Sequence, residues 1–159
     1  MAANAYLFSQ DTGDIADLEN VDIGGTNAQA GDVDMRKWHK VCAYVEVGTW
    51  NAADDLDECR LEQGNAAGTW KDLTTDASGG NYDTDNPVDA DGDFVLLEAT
   101  DEDLDVNNDF YRVRLYVAEG GNTGVDNVHG FIFGSGAKTK AAQKNGAAVV
   151  GSRVYVKPS

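Results

Sequence analysis

"FYRVRLYVAEGG", residues 110–121, decides the fold. Tyr111, Val113, Leu115 and Val117 fall on one face of an extended chain, while Arg112, Arg114 and Tyr116 fall on the other. A helix would scatter both sets around its axis. The stretch therefore reads as a half-buried strand, ended by Gly120 and Gly121. The same period of two recurs in "KVCAYVEVG" (40–48), where Val41, Ala43, Val45 and Val47 alternate with Cys42, Tyr44 and Glu46. In "LDECRLEQG" (56–64), Asp57, Cys59 and Leu61 oppose Glu58, Arg60 and Glu62. Three more strands are predicted at "DFVLLEAT" (93–100), "VDNVHGFIFG" (125–134) and "AAVVGSRVYVK" (147–157), and "AYLFS" (5–9) is a candidate near the N-terminus.

Turn formers fill the gaps: "GNAAGTW", "ASGGNYDTDNP", "EGGNTG" and "QKNGA", the last holding the hairpin signal Asn145–Gly146. Helical signals are confined to "AKTKAAQK" (137–144) and "NAADDLDE" (51–58). Eighteen glycines against two prolines suit a turn-rich β protein. The expected fold is all-β, one β-sandwich or jelly-roll-like domain over residues 1–159, with residues 1–30 as an extended N-terminal arm.

The formal net charge of −16 disfavours nucleic acid, whose phosphates would be repelled, and fits a saline habitat as well as an interaction surface. All 28 acidic residues lie at or before Asp126. Residues 127–159 hold five basic residues (Lys138, Lys140, Lys144, Arg153, Lys157) and no acid, a basic region able to pack on the acidic part or dock on another acidic surface. "MAANAYLFSQDTG" lacks the basic start and apolar run of a signal peptide, and no apolar run reaches membrane-spanning length, so a soluble chain made in the cytoplasm is expected. Cys42 and Cys59 allow one bridge, and reduced thiols are the expectation in that compartment.

Four features of the sequence bear on its chemistry. "DTDNPVDADGD" (83–93) is rich in aspartate, but no register of it makes an EF-hand loop. Starting at Asp83 or Asp85 puts Pro87 at a ligand position, and starting at Asp89 puts Phe94 where glycine is needed and Thr100 where a bidentate carboxylate is needed. The stretch reads as a solvated acidic loop, with a looser calcium site at Asp89, Asp91 and Asp93 as the alternative. His39 and His129 lack a motif-bearing nucleophile, Ser135 in "FGSGA" is not a nucleophile elbow, and "GSGAKT" (134–139) has the wrong glycine spacing for a phosphate loop. Trp38, Trp50 and Trp70 read as sandwich packing, with sugar stacking as the alternative. No enzyme and no cofactor is expected.

The order of segments "GDVDMRKWHKVCAYVEVG" (31–48), "CRLEQGNAAGTWKDL" (59–73), "LEATDEDLDVNNDFYRVRLYV" (97–117) and "GSRVYV" (151–156) resembles small β-sandwich virion proteins of tailed bacteriophages. The acid-rich 83–93 stretch and the region around 137–145 depart from that pattern. The resemblance implies a virion structural component, commonly a head decoration or cement protein, with no catalytic residues to carry over. Its expected partners are the major capsid protein and further copies of itself, a trimer being one arrangement, with neither nucleic acid nor membrane involved. The residues expected to meet acidic capsid patches are Arg36, Lys37, Lys40, Arg112, Arg114, Lys138, Lys140, Lys144 and Arg153. Alternatives are a neck or tail component, or a secreted carbohydrate- or calcium-binding module.

Overall fold

The computed structural model describes residues 12–49, 56, 58–73, 91–119 and 124–138. These residues hold eight strands in chain order: β1 (Thr12–Asp22), β2 (Asn27–Asp34), β3 (Trp38–Val47), β4 (Glu58–Gly64), β5 (Trp70–Asp72), β6 (Phe94–Thr100), β7 (Arg112–Ala118) and β8 (Asn127–Ala137). Among the described residues there is no α-helix; two single 3-10 turns, Asp101–Asp103 and Val106–Asn108, occupy the acidic link before β7. The first strand pairs with the eighth, the second with the seventh, the third with the sixth and the fourth with the fifth, all antiparallel. That nesting is the jelly roll. It yields two four-stranded sheets, ordered β1-β8-β3-β6 and β2-β7-β4-β5.

The core lies between the sheets and is filled by the alternating sets. Val41, Ala43, Val45 and Val47 of β3 face Val113, Leu115 and Val117 of β7, with Ile132, Leu97 and Trp38 among the buried side chains around them. Each valine, leucine or isoleucine side chain here contributes about 1.5–3 kcal/mol when fully removed from water. The sheets approach closely at Gly31, where φ is +95° and a Cβ would stand 2.4 Å from Ile132 Cγ2. Only glycine fits there.

The all-β sandwich expected from the periodicity is the observed architecture, and the anticipated strands at 41–47, 58–64, 94–100, 112–118 and 127–134 are all present. The N-terminal arm is corrected. Residues 12–22 and 27–30, expected within an extended arm, are sheet strands on β8 and β7. Two bulges explain why β1 does not alternate: the register shifts between Gly13 and Ala16 and again between Leu18 and Val21. Asp14 (φ +50°) and Asn20 (φ +49°) sit at these shifts, in a left-handed conformation that Asp and Asn tolerate better than most residues. β2 shifts between Ala30 and Val33, around Gly31. The strands expected at 5–9 and 147–157, most of both helical candidates, and the Asn145–Gly146 turn lie outside the described residues.

Candidate functional site

The two outer faces of the sandwich differ in kind. On the outer face of β2-β7-β4-β5, arginines from alternate positions of β4 and β7 meet carboxylates on the neighbouring strands. Glu62, with a side chain only 7% exposed, pairs with Arg114 Nη2 at 2.6 Å and with Arg60 Nη2 at 3.1 Å. Arg60 also pairs with Glu58 and Asp72, and Arg112 grips Asp32 through two nitrogens. The Trp70 ring lies against the guanidinium groups of Arg112 and Arg114, and Tyr116 against that of Arg60. Gly64 makes room for this, because a Cβ there would stand 2.6 Å from the Trp70 ring. Charge and aromatic surface are both satisfied within the face.

The nine basic residues expected to meet a partner divide three ways. Arg112 and Arg114 lie in the web just described. Arg36, Lys37, Lys40 and Lys138 come together at the β2–β3 end, where Lys138 N donates to Lys37 O at 2.8 Å. Lys140, Lys144 and Arg153 lie outside the described residues. Each of the eight Lys and Arg side chains among the described residues has a carboxylate partner: Arg36 with Asp34, Lys37 with Asp14, Lys40 with Glu98, Lys71 with Asp105, and Lys138 with Asp101 besides the three arginines above. The Arg36 guanidinium holds the Asp34 carboxyl below its ordinary value, and Lys40 does the same for Glu98. Burial pushes Asp101 up, but Lys138 and His39 outweigh it and the net shift is down. The cations among the described residues are thus spent on neighbours in the same chain.

The outer face of β1-β8-β3-β6 is apolar across its middle. The register sets Leu96, Tyr44 and Phe131 in one row across β6, β3 and β8, with Phe94 and Phe133 in the rows on either side. Tyr44 stacks on Phe94 at 5.7 Å and on Phe131 at 5.4 Å, and Phe131 stacks on Phe133 at 5.9 Å. These rings stand outward. Phe94 is 62% exposed, Leu96 59% and Phe131 40%. Acids rim the row: Glu46 accepts a 2.7 Å hydrogen bond from the Tyr44 hydroxyl, Glu98 lies across from Cys42, and Asp17 pairs with Phe131 from β1. Soluble chains seldom leave several large apolar side chains contiguous on one sheet. The sequence carried a signal for this face, since "DFVLLEAT" and "HGFIF" are apolar at both alternating sets where a half-buried strand would turn polar.

Beside the row, an open groove of about 800 Å³ runs along β1, lined by Asp17, Glu19, Asn20, Tyr44, Glu46 and His129, among others. It offers carboxylates, an imidazole and an aromatic wall, but no nucleophile. Of the calcium candidates, Asp89 lies outside the described residues, and Asp91 and Asp93 lie in the turn that leads into β6. No group of three or more His, Cys, Asp or Glu able to hold a metal occurs among the described residues. Trp38 is a core residue, Trp70 belongs to the ion-paired face, and Trp50 lies outside the described residues. Cys59 is buried and Cys42 faces outward on β3, both as free thiols. The chain matches no protein-family model and no curated protein sequence.

Proposed function

We propose that the chain is a virion structural protein, a decoration or cement protein that seats on the outer surface of a tailed-phage head and stabilises the shell. The carrying observation is the apolar row of Phe94, Leu96, Tyr44, Phe131 and Phe133 on one face, set against an opposite face whose charges are paired internally. A protein built this way has one adhesive side and one inert side. The jelly roll, common to viral capsid and lectin domains, supports the reading, as does the resemblance in segment order. The partner is the major capsid protein. Aromatic anchors supply most of the affinity, and the acidic rim sets register against basic groups on the shell. Binding to the assembled shell alone stabilises it by mass action. The test is co-sedimentation of purified protein with preassembled shells lacking it, followed by heating. Failure to bind, or equal heat stability with and without the protein, overturns the reading.

The groove beside Tyr44 favours a second reading, a carbohydrate-binding module. An aromatic wall with Asp17, Glu19, Asn20 and Glu46 around it matches the apolar-face-plus-acceptor chemistry of sugar recognition. Calorimetry against a panel of oligosaccharides separates the two, since only this reading expects heat that Tyr44→Ala abolishes.

A further inference from the structure

An arginine, an aromatic ring and a carboxylate recur together on this chain. Arg36 lies 3.8 Å from the centre of the Tyr111 ring and pairs with Asp34. Arg60 lies 4.1 Å from the centre of the Tyr116 ring and pairs with Glu62. Arg114 lies 4.2 Å from the centre of the Trp70 ring and also pairs with Glu62. In each set the ring meets the flat side of the guanidinium and the carboxylate meets its N–H groups.

The groove along β1 has the rings and the carboxylates but no cation. Asp17, Phe131 and Tyr44 share one row across β1, β8 and β3. In the next row Glu46 lies opposite His129, and the β1 bulge between Leu18 and Val21 brings Glu19 and Asn20 to the other side of that histidine. Among the described residues no Lys or Arg lines the groove. The eight described cations pair with other carboxylates, and none lies over Tyr44 or Phe131.

That charge pattern selects the occupant. We propose that the groove docks an arginine side chain presented by a partner protein, with the guanidinium against Tyr44 and Phe131 and its charge met by Asp17, Glu19 and Glu46. Lys71 plays the same part over Phe110 beside Asp105, so lysine chemistry is within reach of such sites. Two rings stacked at 5.4 Å, however, offer a broad surface that suits a planar guanidinium better than a compact, strongly hydrated ammonium. A neutral sugar would leave three carboxylates without a cation. Each described arginine is already held within its own chain, which points to a different protein as the donor. The inference goes beyond the shell reading and stands without it; with the shell as partner, the arginine is the shell's.

The test is NMR titration of the full chain with a blocked tripeptide that carries arginine between two valines. The same peptide with citrulline or lysine at its centre runs beside it, citrulline keeping the shape and losing the charge. The arginine peptide is expected to shift the amide signals of Tyr44, Glu46 and Phe131 with a dissociation constant on the order of 1 mM. It should bind about tenfold more tightly than the citrulline peptide and severalfold more tightly than the lysine peptide. Asp17→Asn with Glu46→Gln, both nearly isosteric, is expected to bring arginine down to the citrulline level and leave the rest of the spectrum native. No shift at these residues with about 10 mM peptide overturns the proposal. Arginine binding no tighter than citrulline or lysine, or indifferent to the double variant, overturns it too. So do shifts produced there by a neutral oligosaccharide and not by the arginine peptide. A dimer in sedimentation that Tyr44→Ala dissociates would assign the groove to a second copy and overturn it as well.

Discussion

The Trp38 indole Nε1 donates to Asp14 Oδ2 at 2.9 Å, tying the first bulge of β1 to the fully buried tryptophan that opens β3. The bulge exists to turn that carboxylate inward, and Asp14 also meets Lys37 Nζ at 3.4 Å. Asp14→Ala is expected to cost about 1–3 kcal/mol in urea unfolding, because it strands a buried donor. Asp14→Asn keeps an acceptor and tolerates the left-handed backbone, so it should cost much less. Equal losses would show that the carboxylate's charge, and not its geometry, matters there.

Gly134 lies flat against the same ring, with a Cβ placed 2.4 Å from Trp38 Cγ. Gly134→Ala should therefore destabilise by about 1–3 kcal/mol through overpacking, although alanine suits a strand better than glycine. A neutral or stabilising result would mean that the ring can move aside.

Glu62 anchors two arginines from a nearly buried position. Its removal should cost about 2 kcal/mol, less than a fully buried pair because Arg60 and Arg114 keep some contact with water. In a double-mutant cycle, Arg114→Ala should add little once Glu62→Ala is present. Full additivity would break the picture of a coupled web.

Leu96→Ser and Phe94→Ser remove exposed apolar surface, so folding stability should stay within about 0.5 kcal/mol of wild type. If the proposed shell-binding reading holds, binding to preassembled shells, measured by sedimentation, should drop sharply. Retained binding would move the docking surface elsewhere.

Asp34, Glu98, Asp101 and Asp105 are all held below the ordinary values of 3.8 for Asp and 4.5 for Glu. Their folded forms bind protons less readily than the unfolded chain. The stability they contribute is complete above those ordinary values and is lost as pH falls through the lower folded ones. Melting temperature should decline on acidification below about pH 4, and Glu98→Gln should shrink that decline. An unchanged profile in the variant would remove Glu98 from the account.

Burial, helped by Glu98, raises the Cys42 thiol to about 11, and burial raises Cys59 to about 12. With so little thiolate at neutral pH, alkylation of native protein should be slow and confined to Cys42, quickening as pH approaches 11. Rapid labelling of Cys59 without denaturant would contradict its place in the core.

Wherever alternation was unbroken, the strands were legible: β3 and β7 carry inward aliphatic residues at every second position, and the fold class follows from them. β1 and β2 were not legible because Asp14, Asn20 and Gly31 interrupt the period at bulges, so "TGDIADLENVD" reads as part of an extended arm. β5 is three residues long, too short to show a period. The candidate site was misweighted for a different reason. Cations such as Arg114 stand out in an acidic sequence, but only the cross-strand register reveals that Glu62 already holds it. Phe94 and Leu96 announced themselves as apolar residues at outward positions, a pattern equally read as a strand buried on both sides.

The contrast between the two outer faces gives the molecule a sidedness that salt should amplify. Screening weakens the ion-pair web around Glu62 and leaves the aromatic row around Tyr44 untouched. It also quiets the mutual repulsion of chains that each carry a formal charge of −16. In brine the protein should therefore hold itself together slightly less tightly, while contacts made through the aromatic row keep their strength.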